Sequence, residues 1–424
     1  MFNSPSSALK LFIVFAALAL GIGVFFFFFP KTVSVKLDPQ TKLPVVTVTN
    51  KDGGTDNQVL ASSSSVKTTA STDIEKQSPL IEPPAVIRGI YLTNWTASSP
   101  ARVDSLVALA KKMGLNAMVI DMKDYSGYVG WRTGIETVVK SGAENQIRIA
   151  NPNSLIKKLH DNGIYAIARV SVFQDPVLAK AHPEWTVGNK VTGKPWTDRK
   201  GLAWMNPNSQ EVWDYDISLA KDAVSRGFDE VNFDYIRFPS DGDLTVAVYP
   251  GMATSTAKHT VIGKFFKYVR EQMPTAKLSA DLFGLSTINK DDLGVGQVIE
   301  DGYKYFDYIC PMVYPSHYAT GFMGFKNPAA YPYEVVKRSM DSALAKLNAL
   351  KFKLASSSIS STIPAVQINS KLRPWLQAFD LGATYTRAMI DKEIQATNDS
   401  LASSTASYNG WLLWDPSNVY KNYR

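Results

Sequence analysis

The sequence predicts an α/β fold: a (β/α)8 barrel of the TIM type with long βα loops. Three observations carry that expectation. Strand-like and helix-like segments alternate from Val86 to the end of the 424-residue chain, the pattern of parallel strands joined by crossover helices. Eight strand candidates fit in that stretch, the number that closes a barrel. Connections early in the chain are also short from helix to strand but long from strand to helix, an asymmetry that the stretches before strands seven and eight break. In such a barrel this gathers the long loops at the carboxyl-terminal face, where sites are built.

Ahead of the barrel, residues 1–10 form a short tail, and 11–29 are nineteen uncharged, predominantly apolar residues ending at Pro30-Lys31. That length crosses a bilayer as a helix. No small-residue cleavage site follows, so an uncleaved anchor is expected, with the tail in the cytoplasm and the rest of the protein outside the cell membrane. Residues 30–85 are rich in Ser, Thr, Lys and Asp, including Ala61-Ser-Ser-Ser-Ser65, and Pro83-Pro84 closes the stretch. This composition buries too little apolar surface to fold, so a flexible, disordered linker is expected there. Residues 86–424 remain for the barrel, and with 45% hydrophobic and 11% aromatic residues overall the chain has material for one large core.

Within the barrel, strands are expected at 89–95, 116–123, 164–172, 230–238, 277–285, 308–315, 364–369 and 409–415. Helices are expected at 101–113, 154–162, 209–226, 255–273, 295–306, 333–350 and 383–396. Gly114-Leu115, Gly163 and Gly227-Phe228-Asp229 supply the short turns into strands two, three and four. The long loops are 124–153, 173–208, 239–254 and 316–332. The fourth strand is the most informative. Val231, Phe233 and Tyr235 alternate with Asn232 and Asp234, so a carboxylate sits on the second face of a buried strand. Serine-rich stretches at 355–362 and 398–407 precede strands seven and eight, on the opposite face, and carry no assigned role.

Polar side chains collect at one end of nearly every strand. The first offers Asn94 and Trp95, the second Asp121 and Lys123 on one face, and the third Arg169. Asn232, Asp234 and then Arg237 follow on the fourth, and Asp281 on the fifth, in phase with Ser279. Tyr314 and His317 end the sixth, Gln367 and Asn369 the seventh, Trp414 and Asp415 the eighth. Two carboxylates facing a sugar ring are the minimal apparatus for glycosidic cleavage. One protonates the leaving oxygen while the other attacks the anomeric carbon or activates water. Asp234 and Asp281 lie on neighbouring strands and are the first candidates, with Asp121 a third. Each has an alternative role as an ion-pair partner of Arg169, Lys123 or Arg237.

The loops also carry many aromatic residues: Tyr125, Tyr128 and Trp131, then Trp185, Trp196 and Trp204, then Tyr318, Phe322 and Phe325. Flat rings stack on the apolar faces of sugars, although rings in long loops also pack into local cores. Trp95 and Trp414, at strand ends, are the better stacking candidates. Other chemistries lack their residues. The four histidines (His160, His182, His259 and His317) do not form a metal-ligand pattern, so no metal is expected. Neither a G-x-S-x-G elbow nor a G-x-G-x-x-G or phosphate-loop motif occurs, so no nucleotide or other cofactor is expected. The net charge of +7 is spread over scattered lysines and reads as a solvated surface, with no basic, aromatic-interleaved cluster for nucleic acid. The single cysteine, Cys310, excludes an internal disulfide and is expected as a buried thiol.

Gly227-Phe-Asp-Glu-Val-Asn-Phe-Asp-Tyr-Ile-Arg-Phe-Pro239, Arg88-Gly-Ile-Tyr-Leu-Thr93, Val119-Ile-Asp-Met-Lys-Asp124 and Cys310-Pro-Met-Val-Tyr-Pro-Ser316 together resemble a known family. This is the putative glycoside hydrolase domain of bacteria and archaea, a distant relative of the α-amylase-type barrels. The resemblance runs from about Val86 to Arg424 and implies a carbohydrate substrate. By analogy with the α-amylase type it implies Asp234 as nucleophile and Asp281 as general acid/base. The chain departs from that type in having Asn232 where those enzymes place Arg, Asp281 where Glu is common, and Gln367 and Asn369 where a third acid follows strand seven. A barrel that binds envelope glycan without cutting it is the alternative reading.

Overall fold

A computed structural model describes residues 73–358 and 368–424, together with the backbone of three short strands before them. The membrane anchor expected at 11–29 lies outside the described residues; among the described residues no helix is long and apolar enough to cross a membrane. Inside the expected linker, Thr32–Leu37, Pro44–Thr49 and Thr55–Val59 pair as a three-stranded antiparallel sheet. Val alternates with polar residues in the first (Thr32-Val-Ser-Val-Lys36) and with Thr in the second (Val46-Thr-Val-Thr49), which suits an extended backbone, a signal that the Ser/Thr-rich composition hid. This amino-terminal unit is separate from the unit that begins at Asp73.

The second unit begins earlier than residue 86. Asp73 accepts hydrogen bonds from the Asn153 and Ser154 backbone amides, and the Leu80 amide donates to Asp229 Oδ1 at 2.6 Å. The last part of the expected linker is therefore fastened to the barrel, through the Asp73 carboxylate and the Leu80 amide.

The barrel has eight parallel strands: β1 (Ile87–Leu92), β2 (Ala117–Lys123), β3 (Tyr165–Ser171), β4 (Glu230–Asp234), β5 (Leu278–Phe283), β6 (Tyr308–Met312), β7 in two pieces (Lys371–Leu372 and Trp375–Gln377), and β8 (Gly410–Trp414). Each pairs with the next and β8 returns to β1, closing the ring. The seventh strand departs from the expected 364–369. Residues 364–367, including Gln367, lie outside the described residues, and Asn369 is exposed ahead of the strand. The true β7 contains Pro374 and an inward Arg373, so its sequence lacks an apolar run.

Helices cover the outside: α1 (Pro100–Met113), α2 (Pro152–Asp161), α3 (Gln210–Arg226), α4 (Lys258–Gln272), the short α5 (Ile299–Tyr303), α6 (Pro332–Ser358) and α7 (Arg387–Leu401). Their starts and stops follow local chemistry. Pro100 and Pro152 occupy the first turns of α1 and α2, while Gly114 and Gly227 end α1 and α3 in the left-handed conformation.

Two apolar cores result. The larger lies between strands and helices, where Ile90, Met118, Ala166, Val231, Ala280 and Ile309 meet helical side chains. The smaller fills the barrel interior with Ile87, Tyr91, Val119, Ile167, Cys310, Trp375 and Leu412. Cys310 is fully buried there, and burial pushes its thiol pKa up to about 12. The inner face also carries a polar column on β4: Glu230, Asn232 and Asp234, all buried. At the closed end Glu230 pairs with Arg373 of β7, both fully buried, and Arg373 also donates to Asn409 Oδ1. The open end of the column presents Asp234.

Candidate active site

Arg169 organises the open end of the barrel. It points inward from β3 and is 4% exposed. One terminal nitrogen, Nη1, donates to Asp121 Oδ1 at 2.5 Å, and the other, Nη2, donates to Asp234 Oδ2 at 2.5 Å. Its Nε lies 3.9 Å from Asp281 Oδ2. Three carboxylates from β2, β4 and β5 thus surround one guanidinium. Burial opposes the charge on Arg169, but Asp234 and Asp121 outweigh it and raise the arginine's pKa.

Each acid has a different shell. Asp121 is saturated, because its Oδ2 accepts from Tyr91 Oη at 2.5 Å while its Oδ1 holds Arg169. Burial raises its pKa to about 6 despite Arg169. Asp281 accepts at Oδ1 from Asn232 Nδ2 and from Trp375 Nε1, both at 2.8 Å. Its Oδ2 receives neither bond. Burial, and then the charge of Asp234, push the Asp281 pKa up to about 8. Asp234, 7% exposed, is the most open of the three, and its Oδ1 accepts from the Tyr235 amide at 2.6 Å.

That last bond depends on an unusual backbone. The strand expected to run to 238 ends at Asp234, because Tyr235 adopts a left-handed conformation with φ of 53°. A bulky side chain rarely accepts this geometry, which turns the chain and aims its amide back at the carboxylate. Tyr235 therefore leaves the strand face that Val231 and Phe233 share.

Around this centre, Trp414 stacks on Tyr91 with ring centroids 3.9 Å apart and lies edge-on to Trp375 at 5.4 Å. The Arg169 guanidinium sits 5.3 Å from the Trp414 ring. Tyr314 is buried on the β6 side, edge-on to the exposed His317 at 5.1 Å. Arg237 lies beyond Tyr235 at the tip of β4. Asn94 and Trp95 stand on a short helical turn after β1, not on the strand itself. Asn94 is buried beside Asp124, whereas Trp95 is 63% exposed with Arg148 over its ring at 4.2 Å.

Two expected site residues belong elsewhere. Lys123 does not share a face with Asp121, because an irregularity in the β2–β3 pairing separates them. Its ammonium is buried between Asp175 at 2.8 Å and Asp216 at 2.6 Å, behind the barrel wall. Asp415 is a local brace: it accepts the amides of Ser417, Val419 and Tyr420 and fastens the carboxyl-terminal turn. Several loop tryptophans are likewise structural. Trp131, Trp196 and Trp204 are fully buried and donate to Asp222, the Asp243 carbonyl and Asp198.

Tyr91 and Trp375, which bond to the candidate acids Asp121 and Asp281, were not among the residues expected from the sequence. Tyr91 had a signal, since it follows Gly89 at strand spacing on β1. Trp375 had none once strand seven was placed too early. Among the described residues no group of three or more His, Cys, Asp or Glu side chains is arranged to hold a metal ion.

A family described as "Putative glycosyl hydrolase domain" matches residues 89–420. No curated protein matches the chain. Among solved structures, a hypothetical protein from Ruminiclostridium thermocellum ATCC 27405 is 38% identical over 49% of this chain and 98% of that one, with a TM-score of 0.42. The galactosidase domain of the alpha-galactosidase-sucrose kinase AgaSK is 14% identical, covering 81% of this chain and 40% of that one, with a TM-score of 0.45. TtGalA, the alpha-galactosidase from Thermus thermophilus in complex with stachyose, is 14% identical over 80% of this chain and 63% of that one, with a TM-score of 0.44. The chain thus spans less than two thirds of either galactosidase chain. With the family match covering most of its length, the chain belongs to the putative glycosyl hydrolase domain family.

Proposed function

We propose that this protein hydrolyses O-glycosidic bonds of a polysaccharide or cell-envelope glycan, with Asp281 as general acid and Asp234 as nucleophile or base. One observation carries the reading. A single guanidinium faces three carboxylates in a nearly dry barrel mouth, so the cluster retains a proton near neutral pH, and Asp281 is the acid pushed highest. Two acids with environments that differ in this way divide into donor and acceptor. Because Asn232 and Trp375 both donate to Oδ1 of Asp281, its proton resides on Oδ2.

In the proposed reaction that proton passes to the glycosidic oxygen as its bond to the anomeric carbon breaks. Asp234 either forms a bond to that carbon or takes a proton from the water that does. Arg169 positions Asp234 and disperses the charge that develops. Trp414 and Tyr91 give the mouth an aromatic wall suited to a sugar face. Tyr314 and His317 complete the lining and Trp95 extends it beyond β1, whereas Asn232 and Asn94 are fully buried: Asn232 supports Asp281 from within and Asn94 lies against Asp124.

The experiment is product analysis of the full chain against bacterial and plant glycans, with the Asp234→Asn variant beside it. Release of sugar by the wild type and its loss in the variant, which thermal unfolding shows to be still folded, is the expected result. Retained cleavage in the variant removes Asp234 from the mechanism. A second reading, a barrel that binds glycan without turnover, is favoured by one feature: Asp281 is 1% exposed and Asp121 fully engaged. Glycan binding by the wild type with no sugar released would select it.

The location belongs to the same proposal and rests on sequence. Residues 11–29 anchor the protein in the cell membrane, with the barrel on the outer side. Digestion of the barrel by protease added to intact cells is the outcome expected; full protection reverses the orientation.

A further inference from the structure

We infer that Arg237 is a specificity residue that binds an anionic group, a carboxylate, carried by the glycan. The inference rests on the proposed glycan-binding site and names the chemical class of sugar that enters it. Arg237 stands three residues beyond Asp234 at the tip of β4. Its guanidinium is walled by three rings: Trp204 at 4.8 Å, Phe283 at 4.8 Å and Tyr235 at 5.3 Å. Phe283 follows Asp281 by two residues on β5, so the box opens beside the acid pair.

The other inward-facing arginines are matched with acids. Arg169 holds Asp121 and Asp234, and Arg373 holds Glu230. Among the described residues Arg237 has no ion-pair partner. Its nearest acids in charge terms, after Asp234, are Asp241 and Asp198. Asp198 is occupied by the amides of Lys200 and Leu202 and by the side chains of Trp204 and Gln174. Loss of water around Arg237 lowers its pKa from the usual arginine value, whereas the pKa values of Arg169 and Arg373 are raised by their partners.

The donors that remain have a direction. Nη1 donates to the Phe238 carbonyl at 3.2 Å and to Ser240 Oγ at 3.1 Å, which fixes one edge of the fork. Among the described residues Nε and Nη2 donate to no protein atom. They are also not sealed away, as the unpartnered Nε atoms of Arg169 and Arg373 are. Parallel N–H groups on that free edge match the two oxygens of a carboxylate, and the stacked rings hold the plane in place. A neutral sugar hydroxyl would engage one N–H and leave the charge unmatched. The box therefore favours a uronic acid ring or a lactyl-substituted amino sugar over a neutral one. Both supply the same carboxylate.

The test uses the full chain and two matched pairs of oligosaccharides. One pair is oligogalacturonate and its carboxyl-reduced form; the other is muramic-acid-containing glycan strands and their carboxyl-reduced form. At least one acidic member is expected to bind tenfold or more tightly than its reduced twin, and the pair that does so identifies the source of the carboxylate. Arg237→Gln should erase that preference, while Arg237→Lys should keep part of it. Thermal unfolding of each variant establishes that it is folded. Equal binding of acid and reduced forms, absence of binding to both acids, or an undiminished preference in Arg237→Gln each overturns the inference. Carboxylate-dependent binding without cleavage would sink the hydrolase and leave this site standing; cleavage of neutral glycan alone would do the reverse.

Discussion

Arg169 Nη2 and Asp234 Oδ2 lie 2.5 Å apart at the barrel mouth, and the other arm of the same guanidinium holds Asp121 at the same distance. Removing the cation therefore leaves at least two buried carboxylates facing each other. Arg169→Met should cost about 3–5 kcal/mol at neutral pH, the scale of a broken buried pair. The loss should shrink in acid, because the folded variant then takes up protons that the unfolded chain does not bind. Urea unfolding at pH 5.5 and 7.5 measures the difference; an equal loss at both would mean that the acids never depended on Arg169.

Asp281 gives the wild type a pH dependence of a definite sign. Its pKa is about 8 in the folded protein, above the roughly 3.9 of an unfolded Asp. Between those values the folded state holds a proton that the unfolded state has lost. The Asp281 contribution to stability is thus full below about pH 4 and falls through the window up to about 8. Asp121 acts in the same direction up to about 6. Asp281→Asn cannot titrate, so its melting temperature should fall less than that of the wild type between pH 6 and 8. If Asp281 is the general acid, the activity of the wild type also declines above about 8. Parallel melting curves for the two proteins would place the shifted proton on another group.

The sequence was legible where burial follows a strand period. Strands one to six and eight fall near their expected positions because both faces of each carry apolar residues or a regular alternation. Strand seven was not legible. Its inward residues are Arg373, Trp375 and Gln377, and Pro374 interrupts it, so the apolar run just upstream looked more strand-like. Asp234, Asp281, Asp121 and Arg169 could be picked out because a charge on the inner face of a buried strand needs a reason. Lys123 and Asp415 looked equivalent by that test. A pairing irregularity at the end of β2 sends Lys123 outward, and the turn after β8 consumes Asp415. The β2 irregularity has no local residue signature, whereas Asp415-Pro-Ser-Asn418 has the composition of an Asx turn. The box around Arg237 is built from the long loop after β3 and the ends of β4 and β5, which only the closed barrel brings together.

Lys123 makes that distinction measurable. It is buried between Asp175 and Asp216, and those acids outweigh the effect of burial and raise its pKa. Burial meanwhile pushes Asp216 to about 7. Lys123→Met should destabilise the fold by about 3–5 kcal/mol by stranding two acids in the wall. Glycan binding measured well below the new melting temperature should stay within about twofold of the wild type, as for a change remote from the site. Loss of binding with unchanged stability would return Lys123 to the mouth.

Tyr235 offers the sharpest separation of backbone from side chain. Its φ of 53° is disfavoured for any residue with a Cβ, and the turn it makes supplies the 2.6 Å amide bond to Asp234. Tyr235→Ala and Tyr235→Gly both lose the ring, so their difference reads the backbone alone. In an ordinary strand alanine is the more stable of the two by about 0.5–1 kcal/mol. Here glycine should win by about 1 kcal/mol, since it enters the left-handed region without steric cost. Urea titration of the pair measures the order. The glycine variant should also retain more activity, because only a chain that makes the turn without strain keeps the amide aimed at Asp234 once the ring's packing is gone. Alanine the more stable would mean that Tyr235 follows the strand in solution and that Asp234 is held by Arg169 alone.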